Sequence, residues 1–232
     1  MQIQIRVRQN GPEADLLESF LPYIESFCDP KFEHTVLHEP YAEAGIPDLV
    51  VIVWDNELLK KRNPLRNSLN KIDVKLAHFI STFKSRGVKK QKLSKQLGYA
   101  EAVINKSLER LNNAEVIIET DNSLFINDIN TIFFIKQIIS FEAKIKNWKT
   151  ALSQAQLNEN FSSHSYVLLP DKVTHERVCS AFNGNTGLVT HTGKRIIRKK
   201  RARKMKLPGS YFSWFLNEWI GRNFSEKITN YA

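Results

Sequence analysis

The chain has 232 residues, which allows one large domain or two small ones. Hydrophobic residues make up 42% of it and charged residues 25%, as in ordinary globular proteins, and no apolar run approaches the roughly 20 residues that a membrane-spanning helix needs. The net charge of +10 favours a polyanionic partner such as nucleic acid over a small acidic substrate.

The amino-terminal residues are expected to form a half-buried strand. Apolar Ile3, Ile5 and Val7 alternate with polar neighbours, which fits a strand and not the continuous apolar core of a secretory signal. We therefore expect a cytoplasmic protein. The two cysteines, Cys28 and Cys179, lie far apart without metal-binding spacing and indicate neither a zinc site nor a disulfide framework.

A helix is predicted to begin near Pro12, because apolar residues recur downstream at helical spacing (Leu16, Leu17, Phe20, Leu21 and Ile24). It carries three acids, Glu13, Asp15 and Glu18. The simplest role for acids at this position is to complement the positive end of the helix dipole.

Two strands are predicted next. Residues 32–38 read as one strand, and the continuous apolar, β-branched run Leu49–Trp54 is typical of a strand covered on both faces. Asp48 begins the second strand directly after Pro47. An antiparallel pairing of the two strands is expected.

Residues 57–127 change in pattern and are expected to form an inserted module. Apolar spacing predicts three helices and then two short strands around a polar turn at 120–123 (helices near 72–83, 93–97 and 103–111, strands near 116–118 and 124–126). Three helices followed by a hairpin resemble a winged helix-turn-helix domain, whose third helix would enter a DNA major groove.

On the third of these helices, Asn105, Lys106 and Arg110 face outward and are expected to approach DNA. The hairpin, however, carries Glu119 and Asp121, which phosphate would repel. A module that contacts protein, or that merely packs on the core, remains the alternative.

The segment 138–155 reads as strand, short turn and helix. Glu142 and Lys144 are two residues apart and so project from the same face of a strand. Asn147 offers a helix cap, which places Gln154 on the first turns of the following helix.

Together, Pro47-Asp48 and Glu142-Ala143-Lys144 resemble the two half-motifs of the PD-(D/E)XK nuclease superfamily. This resemblance implies an α/β fold of the restriction-endonuclease-like type, a mixed sheet flanked by helices. Residues 1–56 and 128–232 would then form the nuclease-like core, and residues 57–127 the inserted winged-helix module.

The resemblance also implies a metal site. Asp48, Glu142 and the backbone carbonyl of Ala143 would hold Mg2+, with Mn2+ as a possible substitute. The superfamily often adds a carboxylate from its first helix, for which Glu13 is preferred over Glu18. Many members act as dimers, so a homodimer is a further possibility.

Two polar side chains would complete the catalytic set. Lys144 would orient and deprotonate the attacking water or stabilise the phosphate. Gln154 would hydrogen-bond the water, Lys144 or a phosphate. Some relatives carry Tyr four residues after this Gln, whereas here Asn158 stands there, which leaves the role of Gln154 open.

Nine of the 34 basic residues lie within 194–206, where no acid occurs, so the remaining 25 nearly balance the 24 acids. This stretch is expected to return from a hairpin at Thr192-Gly193 and to contact phosphates without sequence specificity (Lys194, Arg195, Arg198, Lys199, Lys200, Arg201, Arg203 and Lys204, with Lys206 beyond them). A solvated edge strand or a flexible tail is the alternative.

The sequence therefore predicts a metal-dependent DNA endonuclease with an inserted winged-helix module. The strongest alternative is a non-catalytic DNA-binding or regulatory protein on the same scaffold. A structural protein whose winged helix docks a protein partner is a third possibility, and little salt dependence of any DNA binding would mark it.

Overall fold

The computed structural model describes residues 2–7, 10–42 and 45–229, which form a mixed α/β structure. The strands are β1 Glu33–His38, β2 Leu49–Trp54, β3 Val88–Lys89, β4 Ile117–Thr120, β5 Ser123–Ile126, β6 Ile135–Ala143, β7 His164–Pro170, β8 Gly187–His191 and β9 Ile196–Lys200. The α-helices are α1 Pro12–Phe20, α2 Asn56–Lys60, α3 Lys71–Ser81, α4 Lys90–Leu97, α5 Glu101–Asn113, α6 Ile129–Ile132, α7 Trp148–Asn158, α8 Glu176–Ala181 and α9 Tyr211–Thr229.

A six-stranded mixed sheet organises residues 2–55 and 135–213, which we call the sheet unit. The strand order is β1-β2-β6-β7-β8-β9, with β6, β7 and β8 parallel and the other neighbouring pairs antiparallel. Parallel neighbours require crossover connections, and α7 and α8 supply them. Every residue of β2 is buried, which confirms the prediction of a strand covered on both faces and its antiparallel pairing with β1.

Aromatic packing fixes α1 against the centre of this sheet. Phe20 of α1 and Phe27, from the 3-10 turn that follows it, both contact Phe141 of β6, with ring centroids 4.9 and 5.2 Å apart. Phe141 in turn stacks on Tyr166 of β7 at 5.5 Å. The amino terminus of α1 is thereby held at a fixed position relative to the end of β6.

The prediction of an amino-terminal strand is wrong. At the amino terminus, Ile5 forms a single bridge with Pro40 and Arg6 N donates to Glu39 O at 3.0 Å, while Val7 is 87% exposed. Tyr41 N donates to Gln4 O at 2.9 Å on the other side of this bridge, so the described residues form a single bridge and not a strand.

The chain between β7 and β8 does not form one continuous helix. A 3-10 turn, Asp171–Val173, precedes the short α8. Thr174 and His175 between them have ψ angles of 88° and 176°, which are not helical.

Residues 56–134 and those from Trp214 onward form a second compact unit, which we call the helical unit. Helices α3, α4 and α5 and the hairpin β4–β5 confirm the predicted elements, and the structure adds the short strand β3, paired with β5. The hairpin turns at Asp121 and Asn122, whose φ angles of 50° and 61° suit a tight two-residue turn. Gly87 also has a positive φ, and a Cβ there would lie 2.6 Å from the Phe125 ring.

Helix α9 groups with the helical unit from Trp214 onward, as do residues 128–134, whereas the sequence prediction placed both with the nuclease-like core. Asn217 explains the grouping, because its side chain accepts from Phe134 N at 3.0 Å and donates to Ile132 O at 3.2 Å. Across the described ranges no helix is both long and apolar enough to cross a bilayer.

A buried ionic cluster holds α9 within the helical unit. Glu218 accepts from Arg62 at 3.2 Å and also pairs with Arg66, and all three side chains are at most 3% exposed. Two guanidinium groups therefore depend on one carboxylate for charge compensation. Although burial alone would raise the pKa of Glu218, the two arginines hold it below its ordinary value.

We expect Glu218→Gln to lower the free energy of unfolding by about 3 to 5 kcal/mol, because it leaves two buried arginines without a counter-charge. Urea unfolding followed by circular dichroism measures this. Glu57→Gln is the matched control, since Glu57 pairs with Lys60 in solvent and exposed pairs contribute little. Equal stability of the two variants would contradict a structural role for the cluster.

Candidate active site

A cleft of about 470 Å³ opens in the sheet unit where β2 begins and β6 ends, beside the first turn of α1. Its walls combine carboxylates and cations with the backbone that follows β6 (Arg6, Asn10, Gly11, Pro12, Glu13, Ala14, Leu17, Glu39, Asp48, Lys144, Ile145, Lys146 and Asn147). The cleft therefore gathers side chains from three separate stretches of sequence.

Asp48 is tied to the end of β6. Since β2 and β6 are antiparallel, with Leu49 opposite Phe141, the residue preceding β2 lies beside the last residues of β6. Asp48 Oδ2 accepts a hydrogen bond from Ala143 N at 2.8 Å. Burial raises the pKa of Asp48 above its ordinary value, although this hydrogen bond and the Lys144 charge oppose the rise.

Lys144 forms ion pairs with two carboxylates, Glu13 on α1 and Asp48. Its Nζ lies 2.9 Å from Glu13 Oε2 and 3.9 Å from Asp48 Oδ2. Burial would lower the pKa of Lys144, but the hydrogen bond to Glu13 and the charge of Asp48 outweigh it and raise the pKa. Lys144 is therefore a cation at neutral pH. Of the two helix carboxylates considered, the structure brings Glu13 to the cleft, while Glu18 is exposed outside it.

Glu142 is buried between β6 and α7, only 2% exposed. Asn158 Nδ2 donates to its Oε1 at 2.7 Å, while Oε2 receives no hydrogen bond from the described residues. Burial, and secondly the nearby charge of Asp48, raise the pKa of Glu142 to about 8. The two carboxylates are thus close enough to repel each other.

Helix α7 supplies the polar groups around Glu142. Asn147 caps this helix with its side chain toward Thr150 N, as the sequence predicted. Gln154 lies one turn before Asn158 on the same helix, and its Oε1 is buried without a hydrogen-bond partner among the described residues. Asn158, four residues after Gln154, therefore makes the direct contact with Glu142.

The structure brings the proposed ligands together only in part. Asp48, Glu13 and Lys144 share one cleft, whereas Glu142 is absent from its lining and approaches from the α7 side. Across residues 2–7, 10–42 and 45–229, no group of three or more His, Cys, Asp or Glu side chains is placed to hold a metal ion.

The donor set nevertheless fits a divalent cation at the end of β6. Asp48 and Glu142 offer hard carboxylate oxygens of the kind that Mg2+ prefers. Glu142 Oε2 is buried without a hydrogen-bond partner among the described residues, and burial together with the charge of Asp48 raises the pKa of Glu142. A cation bound by both side chains would give Glu142 Oε2 a partner and would reduce the repulsion between the two carboxylates.

Two cleft residues, Arg6 and Glu39, were missed by the sequence analysis. Glu39 follows β1, and the β1–β2 register, with His38 opposite Leu49, places it beside Asp48. It pairs with Arg6, whose pKa this contact raises. The expected antiparallel pairing of the strands was the signal that could have identified Glu39.

The three residues predicted to contact DNA from α5 differ in their environments. Asn105 and Lys106 are exposed. Arg110 instead forms a two-point ion pair with the buried Asp73, with Nε and Nη2 at 2.9 and 2.7 Å from the two carboxylate oxygens. Ser107 hydrogen-bonds the same carboxylate. Arg110 therefore holds α5 against α3.

The predicted hairpin and its basic returning strand are confirmed as β8–β9, and two of its cations have partners. Arg198 lies 4.1 Å from the centre of the Phe27 ring and donates to Ser26 O at 3.1 Å, while Lys199 Nζ is 3.1 Å from Asp171 Oδ1. The remaining predicted contacts are exposed and form no ion pair with other described residues (Lys194, Arg195, Lys200, Arg201, Arg203 and Lys204).

These exposed cations lie at two opposite ends of the strands of the sheet. Lys194 and Arg195 lie in the turn after β8, and Lys144 follows β6. Because β6, β7 and β8 are parallel, their carboxyl ends lie at the same edge of the sheet, and so do these three residues. Arg203 N donates to Asn185 O at 2.8 Å, before β8 begins, which places Arg203 at the opposite edge. The basic stretch is therefore not a single surface beside the cleft.

Comparisons with protein-family models, with curated proteins and with solved structures give no match for this chain.

We expect Glu142→Gln to become progressively more stable than the wild type as pH rises from about 5 to about 8. In that window the folded wild type holds a proton on Glu142 that the unfolded chain has lost, so wild-type stability falls with rising pH. The difference should approach the order of 3 kcal/mol at pH 8.5.

Urea unfolding in EDTA at several pH values measures this difference. Glu33→Gln, at an exposed position of β1, is the control and should show no comparable trend. A constant offset between wild type and Glu142→Gln across the pH range would contradict the buried, proton-holding carboxyl.

Proposed function

We propose that the protein is a Mg2+-dependent DNA endonuclease of the restriction-endonuclease-like type. The observation that carries the proposal is the meeting of Asp48, Glu13 and Lys144 in one cleft, with the carboxyl of Glu142 within electrostatic reach of Asp48. Four ionisable groups from three parts of the chain meet where β2 and β6 adjoin. Such clustering of perturbed carboxyl groups is typical of functional sites.

Asp48 and Glu142 would hold the metal, with the backbone carbonyl of Ala143 as the third ligand that the superfamily resemblance implies. Mg2+ there would polarise the scissile phosphate and lower the pKa of an attacking water. The high pKa of Glu142 requires that this carboxyl lose a proton before it binds a cation. Asn158 orients Glu142 through Oε1 and leaves Oε2 as the donor atom.

Lys144 would stabilise the negative charge of the phosphate. The sequence left open whether it removes a proton from water or acts as a cation, and its raised pKa favours the cation. Glu13 keeps the ammonium close to Asp48, at 2.9 Å from Glu13 and 3.9 Å from Asp48. Glu13 thus serves as a positioning residue for Lys144, and its role as a metal ligand stays a prediction.

DNA would lie along the sheet edge that carries the cleft. Lys194 and Arg195 follow β8, two strands away from β6, which is about 10 Å at the usual spacing of strands. Tyr23 anchors this turn by donating to Lys194 O at 2.8 Å. The two cations are therefore placed to neutralise phosphates next to the one that is cleaved.

The helical unit would add DNA affinity. Its order of elements, α3, β3, α4, α5 and the hairpin β4–β5, is similar to that of a winged helix-turn-helix domain. We infer that it engages the duplex and that Asn105 and Lys106 are its contacts on α5. The acidic Glu119 and Asp121 argue against a phosphate contact by the hairpin.

A second candidate function is DNA binding without cleavage. It is favoured by the enclosure of Glu142 outside the cleft and by the lack of three clustered ligand side chains among the described residues. The same cations would then bind DNA, and the carboxyl groups would take no part in a reaction.

Replacement of Asp48 separates the two functions. With purified protein, plasmid DNA and Mg2+ or Mn2+, we expect the wild type to cleave and Asp48→Asn to lose activity by roughly a thousandfold or more, since a metal ligand and its charge are removed. DNA affinity in EDTA should stay close to that of the wild type. Glu25→Gln, which removes one exposed carboxylate of the sheet unit, should cleave normally.

Absence of cleavage by the wild type under all divalent ions tested, together with tight DNA binding, would establish the non-catalytic alternative. Unchanged cleavage by Asp48→Asn would remove Asp48 from the site.

A further inference from the structure

The helical unit carries a dense group of cations on the turn before α4 and on α4 itself. No acid occurs between residues 84 and 100, and six basic residues occur there (Lys84, Arg86, Lys89, Lys90, Lys92 and Lys95). We call these six residues the α4 basic surface. It includes neither the α5 residues nor the 194–206 stretch considered above.

All six side chains of the α4 basic surface are exposed. None of them forms an ion pair with another residue in the described part of the chain. Three of them, Lys89, Lys92 and Lys95, line one cleft of about 430 Å³ together with Phe83 and the backbone around Gly87. Mutual repulsion of uncompensated cations at this density is relieved when a polyanion binds and its counterions are released.

The aromatic residues beside this cleft do not form a base-stacking platform. Lys92 Nζ lies 4.8 Å from the centre of the Phe83 ring and occupies that position over the ring. Phe79 contacts the same ring edge to face, at 5.2 Å between centroids. The cleft therefore offers charge to a ligand and little free aromatic surface, which suits phosphates better than unstacked bases.

Helix α5 and the β4–β5 hairpin are less suited to phosphate. On α5, Lys106 is accompanied by the exposed acids Glu101 and Glu109, and Arg110 is held by Asp73. The tip of the β4–β5 hairpin carries Asp121. Positive charge without nearby acid is thus concentrated on α4 and the turn before it.

We propose that the α4 basic surface, and not α5 or the hairpin, is the principal contact of the helical unit with the phosphate backbone of DNA. This proposal rests on the proposed function in one respect, namely that the polyanion is DNA. Binding here is independent of base sequence, because the lysines meet phosphates and not base edges. It therefore provides affinity, and any sequence preference has to come from elsewhere.

The test compares two triple variants of equal charge in the full chain. Lys89→Ala/Lys92→Ala/Lys95→Ala removes the three cleft lysines, and Lys60→Ala/Lys61→Ala/Lys71→Ala removes three lysines elsewhere in the helical unit. Both are made in the Asp48→Asn background and assayed in EDTA, so that cleavage does not enter. Fluorescence anisotropy with a labelled mixed-sequence duplex gives Kd as a function of salt.

We expect Lys89→Ala/Lys92→Ala/Lys95→Ala to weaken DNA binding by roughly tenfold or more near physiological salt. The slope of log Kd against log salt concentration should become shallower by about 2 to 3, because two to three phosphate contacts are lost. The control triple should change both quantities much less. Asn105→Ala/Lys106→Ala should likewise have the smaller effect. Thermal unfolding midpoints equal to that of the parent establish that each variant is folded.

Equal losses in the two triples would show a general effect of net charge and overturn the proposal, as would an unchanged slope in the cleft triple. A larger loss from the α5 variant would place the contact on α5 instead. Because cleavage is measured separately, a protein that binds DNA through α4 but never cuts it would refute the nuclease function alone.

Discussion

Two carboxyl groups constrain the junction of β2 and β6, because the charge of Asp48 helps to raise the pKa of the buried Glu142. Asp48 is fixed there by the hydrogen bond from Ala143 N at 2.8 Å, and Glu142 is fixed from the other side by Asn158 at 2.7 Å. Movement of either carboxyl group into solvent would break its hydrogen bond. Burial and mutual repulsion raise the pKa of Glu142 to about 8. Burial of such carboxyl groups lowers stability, and a cost of this kind is usual at functional sites.

The surrounding elements hold this junction in place. The apolar β2 and the aromatic contacts of Phe20 and Phe27 with Phe141 position α1, so that Glu13 reaches Lys144. On the opposite face α7 brings polar side chains against Glu142. The resulting site has one open side, the cleft with Asp48, and one closed side. The ammonium of Lys144 lies on the open side, where the proposed DNA phosphate would have access.

Sequence patterns predicted the elements well where they depend on local periodicity. The apolar run of β2, the spacing of α3, α4 and α5, and the polar turn of the β4–β5 hairpin all specify structure within a few residues. Asp48 and Lys144 were also predicted to lie in one site, and in the structure Lys144 Nζ is 3.9 Å from Asp48 Oδ2.

What sequence did not predict are contacts between distant residues. Nothing near Arg110 indicates that it pairs with Asp73, and nothing near Glu218 indicates that it compensates two arginines. The division of the basic stretch between two sheet edges follows from the parallel order of β6, β7 and β8. Such features depend on which elements become neighbours, a property of the whole fold.

The central claim is that Asp48 and Glu142 jointly hold a divalent cation. Isothermal titration calorimetry with Mg2+ at pH 8, on wild type, Asp48→Asn and Glu142→Gln, tests it directly and without DNA. The account predicts saturable binding by the wild type and a loss of affinity of roughly tenfold or more in each variant, since both supply ligand oxygens. Equal Mg2+ affinity in all three proteins, or no binding by the wild type, would contradict it.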